Sequence, residues 1–280
     1  MFSEKLNIEI AHDTIIRSLR KFFTGCGISK AIVGLSGGID SAVVAALAAE
    51  ALGKENLHGF MMPSEFSTLH SIQDAVDLAD NLGLEYNVIP IGKIYNKFMK
   101  ELQPVFGLDN QWNVAEENLQ ARIRGTLLMA YSNKFNALVL NTSNKSELSV
   151  GYGTLYGDLA GALMVIADIY KTEVYELAEY INRERQIIPR STITKAPSAE
   201  LREGQKDSDS LPDYSLLDYI LYSLNEGEKS YGTLLSEGVD KSVLDKVMDL
   251  VGKAHFKLMQ IPPIIKVSSK PLADKSKWIC

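Results

Sequence analysis

Between Gly27 and Gly53 the chain changes its hydrophobic period twice, and this constrains the fold more than any other feature. Residues 31–35 are a short apolar run suited to a buried parallel strand, and residues 41–52 are an almost wholly apolar helical stretch. Ser36-Gly37-Gly38 joins the two. A strand, a glycine-rich turn and a helix in that order form the repeating unit of an α/β sheet.

The unit recurs. Strands are expected at 57–62, 85–89 and 137–140, and helices at 68–82, 91–106 and 114–135. A further helix over 6–23 sets Leu6, Ile10, Ile15, Leu19, Phe22 and Phe23 on one broad stripe. This alternation predicts the fold class: α/β, a doubly wound parallel sheet with helices on both faces, in a single domain over 1–280. Beyond Asn141 the texture changes. Residues 141–162 are polar and punctuated by glycine, too long for an ordinary connection, and read as a functional segment. A helix is expected at 172–183, a mobile loop or lid at 189–212, helices at 214–224 and 241–258, and an irregular tail containing Pro262-Pro263.

Composition narrows the partners. The 29 Lys+Arg against 35 Asp+Glu leave a net charge of -6, and no basic run offers a nucleic-acid footprint. Cys26 and Cys280 lie at opposite ends with no metal or redox spacing, so both are read as reduced thiols. No apolar run approaches the ~20 residues of a membrane span, and the N-terminus mixes acids and bases at helical spacing, unlike a signal peptide. The expected setting is cytoplasmic, without membrane or nucleic-acid partners.

Gly34-Leu35-Ser36-Gly37-Gly38-Ile39-Asp40-Ser41 carries the chemistry. The loop lacks the lysine of G-x-x-x-x-G-K-[ST] and the spacing of G-x-G-x-x-G. It nevertheless delivers two glycines and two hydroxyls to a helix N-terminus, where free N–H groups and the helix dipole favour a phosphate. Asp40 would repel that phosphate unless a cation lay between them, and Mg²⁺ is the suitable ion. Asp40 acting only as a helix cap would leave the glycine pair and both serines unexplained.

The stretch Ser36 to Ser41 resembles the pyrophosphate loop of the ATP pyrophosphatase family. Four further stretches, 117–122, 141–147, 151–158 and 195–200, and the tail at 262–267 are similar to NAD synthetases, so the resemblance runs over nearly the whole chain. It implies the adenine nucleotide alpha hydrolase-like fold and a reaction in which ATP activates the carboxylate of deamido-NAD as an acyl adenylate, which ammonia then converts to the amide of NAD. It implies Mg²⁺ on Asp40 and Glu147, and catalytic roles for Asp40 and Lys195. ATP contacts are implied for residues Gly34 to Ser41 and for Thr142, Lys171 and Ser198. Deamido-NAD contacts are implied for Asn118, Arg122, Glu147, Asp158 and Lys257, of which Asn118 and Arg122 lie four apart on one helix face.

Leu155 and Ala162 stand where ammonia-dependent members often carry Lys and Asp, and Leu258 and Met259 stand where two basic residues are often found. These departures resemble the synthetase domain of glutamine-dependent members. A homodimer is implied, and ammonia is either free or delivered by a separate glutaminase chain. A tRNA thiolase or lysidine-type ligase would need a basic surface, which the charge balance disfavours. A non-catalytic ATP-binding module would have no use for both acids and Lys195.

Overall fold

The computed structural model describes residues 6–107 and 112–272 and the backbone of 278–279. Seven strands, β1 (Lys30–Gly34), β2 (Leu57–Met61), β3 (Glu85–Val88), β4 (Ala137–Asn141), β5 (Leu163–Met164), β6 (Ile264–Ile265) and β7 (Trp278–Ile279), form one sheet ordered β3-β2-β1-β4-β5-β6-β7. Every neighbouring pair is parallel, with Ala31 opposite Leu57 and Leu138 in the centre. The helices in chain order are α1 (Ile8–Cys26), α2 (Ile39–Leu52), α3 (Leu69–Leu82), α4 (Gly92–Phe106), α5 (Val114–Phe135), α6 (Lys145–Ser149), α7 (Lys171–Ile181), α8 (Arg190–Thr194), α9 (Tyr214–Asn225), α10 (Tyr231–Ser236) and α11 (Lys241–Leu258).

Both sheet faces are covered because the central strands carry buried apolar side chains on both of their faces. Ala31 and Val33 join the core formed with α1, α2, α3 and α7, while Ile32 joins Phe60, Ile123 and Val139 on the side of α4 and α5. The helix α2 is apolar all round, and most of its residues are buried, as expected of a helix pressed against the sheet and roofed by α1 and α7. A third cluster of Leu217, Ile220, Leu234, Leu244 and Val247 holds α9, α10 and α11 together. Among the described residues, no helix is long and apolar enough to cross a membrane.

The expected strands and longer helices are present within one to three residues of their anticipated ends, and α5 covers the expected span. Two expectations are corrected. The tail is not wholly irregular, because β6 and β7 extend the sheet; two-residue strands are too short to show a period in sequence. Residues 189–212 contain α8 and a 3₁₀ turn at Asp207–Asp209, so this segment is not simply a loop. The polar stretch after β4 also holds the five-residue α6.

The strand order reverses its direction of growth between β1 and β4, which opens a crevice at their carboxyl ends. The loop leaving β1 rests there against α3. Gly37 has φ +79°, and a Cβ on it would stand 2.1 Å from the carbonyl oxygen of Ser71. Gly25, near the end of α1, has open space and an ordinary φ. Gly37→Ala is therefore expected to lower unfolding stability by at least about 1 kcal/mol. Gly25→Ala is expected to raise it by roughly 0.5–1 kcal/mol. Urea denaturation of the two variants checks the contrast, and an unchanged midpoint for Gly37→Ala would remove the steric argument.

Candidate active site

At the carboxyl ends of β1, β2 and β4 lies a cavity of about 320 Å³, within the usual range for a ligand site. Its floor is the loop after β1. Leu35 N–H donates to the Phe60 carbonyl at 2.7 Å, ending the strand pairing. The loop is then tied internally: Gly38 N–H donates to Ser36 Oγ at 3.1 Å, Ser41 Oγ donates to the Gly38 carbonyl at 3.0 Å, and the two hydroxyls lie 3.1 Å apart. Gly38 caps α2 without any side-chain bond, so the first N–H groups of that helix are left for a ligand. Gly34, Leu35, Ser36, Gly38, Ile39, Asp40 and Ser41 line the cavity; Gly37 is buried against α3 instead.

Asp40 does not cap its helix. Its carboxylate accepts from Asn144 Nδ2 at 2.9 Å and from Lys171 Nζ at 2.5 Å. The other acid, Glu147, is presented by α6, where Asn144 and Glu147 form a capping box: Glu147 N–H donates to Asn144 Oδ1 at 2.9 Å, and Asn144 N–H returns to Glu147 Oε2 at 3.3 Å. Its free oxygen accepts from Lys171 Nζ at 3.2 Å. Lys171, 3% exposed at its side chain, thus bridges both acids. Burial works against its charge, but Asp40 and Glu147 outweigh burial and hold the ammonium above the ordinary lysine range. One cation cannot fully offset two carboxylates, so burial, reinforced by the charge of Asp40, pushes Glu147 up to about 8.

The two acids bring carboxylate oxygens to one side of the cavity, a donor type suited to a hard divalent cation such as Mg²⁺. Among the described residues no cluster of three or more His, Cys, Asp or Glu occurs, so any metal here takes its remaining oxygens from water and phosphate. Thr142, directly after β4, lines the same cavity.

The segment 189–212 crosses the cavity and is fastened on three sides. Lys195 Nζ reaches Asp74 at 2.9 Å and Ser71 Oγ at 3.1 Å, both on α3. Glu200 accepts from Thr68 N–H at 3.1 Å, Thr68 Oγ1 at 2.9 Å and Ser71 Oγ at 2.7 Å, occupying the N-terminus of α3. Gln120 Nε2 on α5 donates to the Leu201 carbonyl at 2.8 Å. On the far side, Asp207 accepts from Tyr152 at 3.0 Å and from Tyr214 at 2.9 Å. Ser198 lines the cavity, but its hydroxyl donates to the Gln205 carbonyl at 2.6 Å within the segment.

The residues expected at the second substrate surround loop 151–158. Asn118 Oδ1 accepts from Thr154 Oγ1 at 2.7 Å, Arg122 Nε donates to the Leu155 carbonyl at 3.2 Å, and Lys257 Nζ donates to the carbonyls of Gly151 and Gly153 at 2.7 and 2.6 Å. The carboxylate of Asp158 accepts from the N–H of Thr154. Of these four, only Asp158 lines the cavity. Cys26 is exposed and unpaired, and Cys280 lies outside the described residues.

The sequence reading passed over Arg124, Asn144, Glu200 and Asp207. Asn144 was accessible through the N-x-x-E capping pattern, and Arg124 through its helical spacing with Ala121, Gly125 and Leu128; Glu200 and Asp207 are set by contacts 132 and 55 residues away.

A parallel α/β sheet with a glycine-rich loop at its switch point, backed by a helix N-terminus and two convergent acids, defines a nucleotide-binding enzyme fold. The sequence profile described as NAD synthase matches residues 11–261, and the chain belongs to that family. It is 55% identical over 253 residues to the glutamine-dependent NAD(+) synthetase of Synechocystis sp., covering 90% of this chain and 45% of that protein. The NH3-dependent NAD synthetase of Campylobacter jejuni has TM-score 0.74 and 33% identity, with 94% of this chain and 100% of the other covered. A glutamine-dependent NAD+ synthetase of Acinetobacter baumannii in complex with ADP has TM-score 0.65 and 41% identity, covering 93% of this chain and 47% of the other. The chain spans about half the length of the curated relatives it matches.

The Glu147 shift carries a pH dependence. The pKa in the fold, about 8, exceeds the ordinary 4.5, so the folded chain holds this proton more tightly than the unfolded chain. The stability this contributes is complete below the unfolded value and is lost as the pH rises through the folded one. Without added Mg²⁺, Glu147→Gln is therefore expected to gain at least about 1 kcal/mol on the parent chain between about pH 5 and about pH 8. Urea titrations at the two pH values test this, and a pH-independent difference would contradict it.

Proposed function

We propose that this chain amidates deamido-NAD to NAD with ammonia, at the expense of ATP, through an acyl adenylate. The observation that carries this reading is the convergence, in one cavity, of the glycine-rich loop with Asp40 and Glu147, two acids from the helices that follow β1 and β4. A carboxylate does not react with ammonia because oxide is a very poor leaving group. In the proposed sequence the substrate carboxylate attacks the α-phosphorus of ATP and displaces pyrophosphate; ammonia then attacks the carbonyl carbon, loses a proton, and AMP departs.

The chain's residues divide this work. The N–H groups of Ile39 and Asp40, capped by no side chain, hold phosphate oxygens at the start of α2. Asp40 and Glu147 would hold Mg²⁺, which would supply charge neutralisation for the departing pyrophosphate. Lys171 keeps the two acids oriented, and the segment 189–212 shields the cavity from water that would hydrolyse the adenylate. Lys195, on that segment and lining the cavity, is the proposed catalytic cation, aided by Ser198 at the nucleotide. Asn118, Arg122, Asp158 and Lys257 are proposed to hold deamido-NAD around loop 151–158, with a second copy of the chain completing that side. Exposed apolar residues on α4 and α5, Phe98, Val105, Met129 and Phe135 among them, support such a contact.

Two tests address this reading. With ATP, Mg²⁺ and deamido-NAD, the 280-residue chain is expected to form NAD with ammonium and to form none with glutamine once free ammonia is removed enzymatically. Stoichiometric AMP and pyrophosphate should accompany NAD. No NAD with either donor would sink the reading, and glutamine-driven synthesis would overturn the proposed donor. Asp40→Asn is expected to raise the Mg²⁺ concentration for half-maximal rate at least about tenfold, the equivalent of roughly 1.4 kcal/mol. An unchanged Mg²⁺ dependence would show that Asp40 is no ligand.

A further inference from the structure

Three cations line the cavity: Arg124, Lys171 and Lys195. Lys171 is held by Asp40 and Glu147, and Lys195 by Asp74. Arg124 differs. It projects from α5 on the stripe Ala121, Arg124, Gly125 and Leu128, all of which line the cavity at i, i+3, i+4 and i+7 spacing. Its Nε donates to the Met62 carbonyl at 2.9 Å, which anchors the guanidinium at the carboxyl end of β2. That bond uses one of its five N–H donors. Among the described residues its terminal nitrogens make no hydrogen bond, and no carboxylate approaches within ion-pair distance.

This is an unfavourable arrangement unless something else completes it. The side chain is half-buried, and burial pushes its pKa down to about 10, against the pull of the more distant Asp158 and Glu200. At neutral pH the group is charged, partly desolvated and lacks an anionic partner. A protein can satisfy such a group with a carboxylate of its own, as at Lys171 and Lys195; at Arg124 the chain supplies only one carbonyl. The open side of a guanidinium is a planar fork of parallel N–H groups, matched in shape and charge to two oxygens of one phosphate or one carboxylate.

We propose that Arg124 is a substrate-binding residue whose terminal nitrogens take an oxyanion of the bound reactants. The inference rests on the reading of the cavity as a nucleotide and carboxylate site. Two sources fit that chemistry: a phosphate of the nucleotide, and an acidic group of deamido-NAD. The anchor on Met62 fixes the plane of the fork before the ligand arrives, so binding requires little further ordering of this side chain.

Equilibrium titrations of the parent chain, Arg124→Met and Arg124→Lys, with Mg²⁺-ATP in one arm and deamido-NAD in the other, test this independently of turnover. Arg124→Met is expected to lose at least about tenfold in affinity in one arm, and Arg124→Lys at least about threefold in the same arm, because lysine keeps the charge but not the fork. A loss confined to ATP identifies a nucleotide phosphate; one confined to deamido-NAD identifies its acidic groups. If Arg124→Met fails to melt cooperatively, the threefold criterion on Arg124→Lys decides. Losses of affinity smaller than those thresholds in both arms overturn the proposal. A parent chain that binds ATP but makes no NAD defeats the proposed reaction while leaving the ATP arm to decide Arg124.

Discussion

The site depends on the buried contact of Lys171 with Asp40 and Glu147. Three segments meet there: the loop after β1, the short helix after β4, and the start of α7. With the lysine side chain 3% exposed, removing one partner of such a pair commonly costs about 3–5 kcal/mol, because the remaining charge stays out of water. The contact therefore ties together chain ends that the backbone alone leaves independent. It also keeps two acids close without metal, a geometry that their mutual repulsion would otherwise open.

The helix α6 is only five residues long, yet it is held from both sides. On one side Asn144 and Glu147 face Asp40 and Lys171. On the other, wholly buried Lys145 meets Asp168 at 3.1 Å, Glu226, Ser268 Oγ at 3.0 Å and the Lys270 carbonyl at 3.1 Å. Asp168 in turn accepts from the backbone of Val267 and Ser268, so the tail that carries β6 is fastened to the same element that presents Glu147. A helix this short has little intrinsic stability, and its position comes from these two polar clusters.

Close backbone contact shapes the opposite wall. A Cβ on Gly157 would stand 2.9 Å from the Ala121 carbonyl carbon, and one on Gly125 would stand 3.0 Å from the Gly157 carbonyl oxygen. The small residues of α5 thus let loop 151–158 sit directly on the helix. The same stripe carries Arg124 into the cavity, while Asn118 and Arg122, one turn apart on α5, hold Thr154 and Leu155 of the loop.

Hydrophobic period alone determined the α/β class, the central strands β1, β2 and β4 and the long helices, since a parallel strand buried on both faces and an almost wholly apolar helix such as α2 leave unmistakable patterns. The spacing of Gly37, Gly38 and Asp40 likewise marked the glycine-rich loop that lines the cavity and is proposed to hold phosphate. Other features were decided only by the folded chain. The strands β5, β6 and β7 have two residues each, too few for a period, and exist because neighbouring strands offer unpaired backbone groups. The partners of Lys171, the seat of Glu200 on Thr68 and Ser71, and the open fork of Arg124 depend on which distant segments the sheet brings to one end. A side chain's type is written in the sequence; its burial and its partners are set by three-dimensional packing, and these decide whether a charge is already paired or remains open to a ligand.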